Sequence, residues 1–346
     1  MDLSLLQRLT EAHGTSGQEQ ALREIVREEL GAYGELSTDA LGNVICKKSG
    51  AGDVRVLIAA HIDEIGFIVR HIDSNGFLKF APLGGWDPRQ MNSQRVQVRT
   101  REGLVPGLLM HGTKPAHLLS DSEKAAGQKL EDFFVDLGLP ADEVKAKVRI
   151  GDTITMEGRF LATGNHLTCK AMDDRVGVFV MIEALKKVGG HSADIYAVAT
   201  TQEEIGLRGA SAVGSSVLPH VVIALDVTLA NDIPGVPDSE SITKLGAGAA
   251  IKIMDSSLIC HPKVVEHFRA IAEKHEIPHQ MEILTRGGTD AGGIQRLNGG
   301  VPAFTLSIPC RYVHTVNETV DARDVQACID LLAKFLEEVG EADYSL

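Results

Sequence analysis

Apolar residues fall at helical spacing at the start of the chain, where Leu3, Leu5, Leu6 and Leu9 form a stripe that predicts an amphipathic helix. Ser16-Gly17-Gln18-Glu19 has the Ser-x-x-Glu spacing of a capping box and predicts a second helix running to about Leu30. The continuous apolar run 54–60 reads as a buried strand ending at the polar group His61-Ile62-Asp63-Glu64. Beyond it the pattern changes. Residues 67–72 and 95–99 alternate, and Asn75-Gly76, Gly84-Gly85 and Gly103 break them, so the region from Gly66 to Leu161 reads as β-rich. Asn75-Gly76 suits a two-residue hairpin turn, since both residues tolerate positive φ. A helix is expected over 129–137, with Leu130, Phe133, Phe134 and Leu137 on one apolar face.

After this region helices and strands alternate. Helices are predicted over 174–188, from Gly206, over 262–275 and over 322–339, and strands over 194–200, 221–226 and 302–308. Such alternation argues for a parallel, doubly wound α/β sheet, with the β-rich region inserted within it because no Gly/Ser linker separates the two.

Composition narrows the function. Lys and Arg number 34 against 47 Asp and Glu, a formal net charge of −13 that repels a nucleic-acid backbone or an anionic membrane surface. No stretch approaches the roughly 20 apolar residues of a membrane span, and the first residues lack the basic and apolar regions of a signal peptide. The expectation is a soluble, cytoplasmic protein with no nucleic-acid or membrane partner. Cys46, Cys169, Cys260, Cys310 and Cys328 are odd in number and unpaired in spacing, which fits reduced thiols and disfavours a thiolate zinc finger. The 13 His and many carboxylates leave room for a site of nitrogen and oxygen ligands.

In an open parallel sheet, ligands bind outside the C-terminal ends of the strands. Polar residues coincide with those ends here: His61 and Asp63, Glu203 and Glu204, Asp226, and His314, with Asp173-Asp174 where a loop enters a helix. Each has an ordinary alternative taken singly, as a core histidine, a strand-end turn residue, a helix cap or a solvated acidic pair. Their joint placement points instead to paired divalent ions such as Zn²⁺, Mn²⁺ or Co²⁺. Such a pair needs a bridging carboxylate and acidifies a shared water, and of two adjacent glutamates one can coordinate while the other moves the proton. Residues 287–293 lack the Lys of a phosphate-binding loop, and Cys169 is expected to be a buried thiol.

Four runs carry a resemblance: Ala60-His61-Ile62-Asp63-Glu64-Ile65-Gly66, Lys170-Ala171-Met172-Asp173-Asp174-Arg175-Val176-Gly177, Gln202-Glu203-Glu204-Ile205-Gly206-Leu207-Arg208-Gly209, and Gly287-Gly288-Thr289-Asp290-Ala291-Gly292. With Gly84-Gly85-Trp86-Asp87-Pro88 and Lys114-Pro115-Ala116-His117-Leu118-Leu119, they resemble the M42 metallopeptidases, dinuclear aminopeptidases that include the tetrahedral TET enzymes. The resemblance spans nearly the whole chain, with Ile62 where the family commonly has Met. It implies a doubly wound mixed sheet flanked by helices, the dinuclear zinc-peptidase fold, formed by residues 1–66 and 167–346, with a small β-rich dimerisation domain inserted at 67–166. It implies that Asp173 bridges two ions per subunit, Zn²⁺ or Co²⁺ and alternatively Mn²⁺. His61 and Asp226 would complete one side, Glu204 and His314 the other. Glu203 would be the general base and Asp63 a carboxylate orienting His61, while Gly288, Thr289 and Asp290 would help shape the substrate pocket.

The activity so implied is removal of N-terminal residues from short or unfolded peptides with a free amine, in a homo-oligomer built from dimers and extending to a hollow tetrahedral dodecamer. The competing readings are a related deacylase or carboxypeptidase, separated by free-amine dependence, and a catalytically silent assembly or binding protein, against which the full ligand set speaks. A glycosidase needs carboxylates flanking a bond across about 5 to 9.5 Å, which adjacent Glu203 and Glu204 do not offer.

Overall fold

The apolar run before His61 is buried throughout because strand Arg55–His61 lies inside an eleven-stranded mixed sheet. Asp194–Thr200 and Val221–Leu229 pair with it in parallel on its two sides, and Ala303–Arg311 pairs in parallel with Val221–Leu229. Thr200 stands opposite His61 where those two strands end at a rim, while Val221–Leu229 and Ala303–Arg311 run on beyond the paired Asp226 and Ser307, so Asp226, expected at a strand end, lies inside its strand. The sheet is mixed because the flanking strands reverse. Val44–Lys48 and Glu35–Thr38 continue it on one side, and Glu318–Asp321, His166–Cys169 and Leu161–Thr163 on the other, all antiparallel. Ala249–Met254 also pairs antiparallel with Ala303–Arg311 and carries His279–Ile283 in parallel at its outer side.

The computed structural model describes residues 1–346, the side chain of Ala116 apart, and the chain forms two compact units: Met1–Asp63 with Arg159–Leu346, and Glu64–Gly158. In the first, helices Met172–Lys187 and Ala322–Glu338 pack on each other and on the sheet, as do Arg208–Val217 and Asp290–Gln295. Helix Met172–Lys187 is buried nearly all round, which its run of Val, Phe, Met and Ile permits. The buried guanidinium of Arg175 donates to the carbonyls of Leu9, Ala12 and Gly14 at the end of helix Leu3–Glu11 and to that of Ile62 beside His61.

The second unit is a closed six-stranded barrel in the order Gly66–Ile72, Leu78–Leu83, Phe133–Asp136, Gly103–His111, Gln94–Thr100 and Thr153–Met156, the last pairing back to the first. Closure leaves no strand edge unpaired. Phe67, Val69, Phe80, Val96, Val98, Leu109, Phe133 and Ile154 are among the buried residues of this unit.

Three local expectations are corrected. The helix expected over 129–137 is a single turn, Leu130–Asp132, followed by strand Phe133–Asp136. Phe133 and Val135 are buried while Phe134 and Asp136 are not, so the same apolar residues satisfy a period of two, and pairing with Gly103–His111 decides between the periods. Ser16 does not cap the second helix, Gln20–Leu30; its hydroxyl donates to Asp63 instead, and the Glu19 carboxylate accepts from Gly17 N–H. The Asn75-Gly76 turn is wider than two residues: only Gly76 has positive φ, and the Asp73 carboxylate accepts from the N–H groups of Asn75 and Phe77.

Candidate metal centre

Six of the expected residues meet at the rim. His61 closes its strand, and its Nδ1 donates to the Asp63 main-chain carbonyl at 3.0 Å, which turns Nε2 toward the site. Nε2 lies 3.1 Å from Asp173 Oδ1 and 3.9 Å from Glu203 Oε2. His314 Nε2 lies 3.3 Å from the other Asp173 oxygen, Oδ2, and 3.6 Å from Glu204 Oε2. The Asp173 carboxylate thus stands between two imidazoles and offers one oxygen to each. Two sets of ligand atoms gather within 4.8 Å of one another, His61 with Glu203 and Asp226, and His61 with Asp173 and Glu204.

Tight chain turns deliver these groups. Ala171, just before Asp173, has φ +55°, and Asp173 and Asp174 are joined by a cis peptide and have non-helical torsions at the start of the long helix. Glu203 and Glu204 sit in a turn closed by Gly206 and Leu207 N–H groups donating to the Glu203 carbonyl at 2.8 and 2.9 Å. His314 has φ +64° in the loop after Ala303–Arg311.

Buried carboxylates hold the backbone of these turns. Asp63 Oδ1 accepts from Glu203 N–H at 3.0 Å, and its Oδ2 accepts from Glu204 N–H at 3.3 Å and the Ser16 hydroxyl at 2.6 Å. That carboxylate, expected to orient His61, stands 3.6 Å from Nδ1, and the main-chain carbonyl of the same residue is the nearer acceptor. Asp174 accepts from His61 N–H at 3.3 Å and from Gly177 N–H at 3.2 Å. Glu318 accepts from His314 N–H at 2.6 Å and Asp173 N–H at 3.0 Å. The motifs expected Ser16 only as a helix cap, assigned Asp174 no metal and gave Glu318 no role. The available signal for Glu318 was an acid inside the β-favouring run Glu318-Thr319-Val320, four residues after His314.

The cluster packs more carboxylate than imidazole away from water. Burial drives Glu203, Asp226 and Asp174 well above the ordinary carboxylate range, reinforced by the neighbouring acids. Burial and the Asp173 charge push Glu204 and Glu318 up to about 8. For Asp173 burial also acts upward, but hydrogen bonds from His314 and His61 outweigh it and hold it low. Burial opposes charge on the imidazoles, yet facing carboxylates win: Glu203 and Asp173 raise His61 well above its usual value, and Asp173 and Glu204 raise His314 to about 10. Glu204 Oε1 is buried without a hydrogen-bond partner. An orphaned carboxylate oxygen within a surplus of buried acid, beside two imidazoles, fits divalent cations bound by nitrogen and oxygen.

Thr289 and Asp290 are buried beside this rim. The Thr289 hydroxyl meets Asp255 Oδ2 at 3.3 Å and the Thr305 hydroxyl at 2.8 Å, and the Thr200 hydroxyl donates to Asp290 Oδ2 at 2.5 Å. Gly288 lies against Ser257, whose Oγ would be 3.0 Å from an added Cβ. Burial pushes Asp290 up to about 6, and its Oδ1 has no partner. His13, His117 and His166 belong to neither ligand set, and Cys169 is a buried free thiol.

Comparison with known proteins places this chain among aminopeptidases. Residues 42–331 match the family model described as M42 glutamyl aminopeptidase. The chain is 36% identical over 354 residues to a lysyl aminopeptidase of Pyrococcus furiosus, covering 100% of this chain and 99% of that protein. It is similar to the solved aminopeptidase APDkam598 of the archaeon Desulfurococcus kamchatkensis, with 41% identity and a TM-score of 0.92 over 97% of this chain and 94% of that one. It is also similar to the TET1 peptidase of Pyrococcus horikoshii, described as able to assemble into a tetrahedron or a large octahedral shell. That match has 30% identity and a TM-score of 0.87 over 97% of this chain and 99% of that one.

Proposed function

The chain belongs to the M42 glutamyl aminopeptidase family and is a metal-dependent aminopeptidase, and from that premise we propose that it works with two divalent ions per subunit, Zn²⁺ or Co²⁺, with Mn²⁺ as the alternative. His61 and Asp226 would hold one, Glu204 and His314 the other, and Asp173 both. The observation that carries this reading is the Asp173 carboxylate, with Oδ1 at 3.1 Å from His61 Nε2 and Oδ2 at 3.3 Å from His314 Nε2. When bound, such ions acidify water and polarise the scissile carbonyl.

The protein's own groups supply the rest. Glu203, as a carboxylate, takes a proton from the attacking water and passes it to the leaving amine nitrogen. Asp63 serves Glu203 through the main chain, since its Oδ1 accepts the Glu203 N–H and fixes the turn that aims the side chain. The buried acids at the rim favour a substrate amine, whose pKa of about 8 leaves it largely cationic on approach. The substrates proposed are short or unfolded peptides with a free N-terminus, their first side chain near Gly288, Thr289 and Asp290. The five free cysteines support work in a reducing cytoplasm, and among the described residues no helix is long and apolar enough to cross a membrane. The likeness to the P. horikoshii peptidase supports a homo-oligomer, for which the barrel unit would supply the dimer contact.

The test compares free and N-acetylated aminoacyl anilides, with chelator and then with Zn²⁺, Co²⁺ or Mn²⁺ restored. Cleavage confined to free amines, lost with chelator and recovered with one ion, is the expected result. Cleavage of the blocked set would overturn it in favour of a deacylase.

A further inference from the structure

We propose that Glu318 is a positioning residue that sets the spacing of Asp173 and His314 by accepting the main-chain N–H of both on one carboxylate. Oε2 receives Asp173 N–H at 3.0 Å and Oε1 receives His314 N–H at 2.6 Å. Glu318 is only 2% exposed and supplies no atom to either ligand set, so it acts through the two residues it holds.

The topology gives the contact its purpose. Glu318 opens strand Glu318–Asp321, which lies between His166–Cys169 and Ala303–Arg311, with Cys169 opposite Glu318 and Arg311 opposite Thr319. Each flanking strand runs directly into a ligand-bearing loop, one toward Asp173 and the other toward His314. Both loops pass through left-handed torsions at residues other than glycine, Ala171 at φ +55° and Tyr312 and His314 at φ +61° and +64°. Such conformations persist where surrounding bonds over-determine them. One side chain anchored between both strands ties the two loops to a common frame, and with them the 3.3 Å approach of His314 Nε2 to Asp173 Oδ2. The task needs two acceptor oxygens: a glutamine of the same shape has one, and its NH₂ would face an N–H donor.

This rests on the metal reading of the site, and the test separates the two. Zn²⁺ affinity of the full-length protein is measured by competition with a chromophoric chelator for wild type and Glu318→Gln, alongside the metal-free melting temperature of each. Affinity in Glu318→Gln falls about 10–100-fold, the usual cost of removing a group that orients a ligand, while the metal-free melting temperature holds. A lower metal-free melting temperature with unchanged affinity makes Glu318 a structural residue and overturns the inference. Where Glu318→Gln does not fold, Glu318→Asp, which keeps two oxygens on a shorter stem, must show the same loss; if neither folds, the inference is overturned. Wild type that takes up no Zn²⁺ defeats the metal reading itself, whereas wild-type uptake matched by the variant defeats this inference alone.

Discussion

Glu203 and Glu204 are chain neighbours with the same side chain, and their surroundings part them. Both N–H groups are held by Asp63, but Glu204 Oε2 lies 3.6 Å from His314 Nε2, while Glu203 Oε2 lies 3.9 Å from His61 Nε2. With Glu203 as the base, Glu203→Gln keeps shape and metal content and loses about 10²- to 10⁴-fold in kcat. Metal analysis beside steady-state kinetics checks this, and a variant that loses its metal along with its turnover would count against the assignment. At this scale the candidate ligands were legible as residue types where apolar runs stop, because several metal-binding side chains falling together there outweigh the turn and cap roles each could fill alone. The carboxylates that hold the backbone were not legible: Glu318 and Asp174 each join a nearby N–H to one far away in the sequence, and no spacing rule reports the distant bond.

Among the elements, close packing accounts for two glycines of the motifs. A Cβ on Gly209 would come within 2.4 Å of the Thr201 carbonyl oxygen and 2.3 Å of Asn43 Oδ1, and one on Gly177 within 2.3 Å of Asp174 Oδ1. Helix Arg208–Val217 therefore starts pressed against the strand end that leads into Glu203. Gly209→Ala, which must displace main chain, destabilises the protein by about 1–3 kcal/mol, read as a lower denaturation midpoint; an unchanged midpoint would show that this junction yields freely. The strand Phe133–Asp136 marks the limit of periodicity, since Phe133 and Val135 serve a strand as well as Phe133, Phe134 and Leu137 serve a helix stripe. Ser16 marks the limit of local motifs: its hydroxyl had a nearby amide to cap and went to Asp63, 47 residues away.

Across the whole molecule, the buried acids gathered at the candidate metal centre belong to the first unit, and the barrel unit has its own closed set of strands. Removing metal leaves like charges facing one another in a region shielded from water, so its cost falls where the ligands sit. Hydrogen exchange with and without chelator should show loss of protection around His61, Asp173, Glu203 and Glu204, and His314, with barrel strands Gln94–Thr100 and Thr153–Met156 unchanged. Loosening of the barrel to the same degree would mean that the metal centre governs the stability of both units.

The alternation of apolar runs and helical stripes determined by itself that a buried α/β sheet forms, because burial of those runs is a property of the runs. It also placed His61 at a strand end and Glu203 just beyond one, where the apolar runs stop, whereas Asp226 lies inside a strand that runs on to Leu229. Tertiary structure alone decided that Thr200 aligns with His61 and Asp226 with Ser307, that His314 comes within 3.3 Å of Asp173, and that Glu318 reaches both ligand-bearing loops. Those outcomes depend on strand order and register, which arise largely from pairing between segments distant in the chain and leave no mark in any local window.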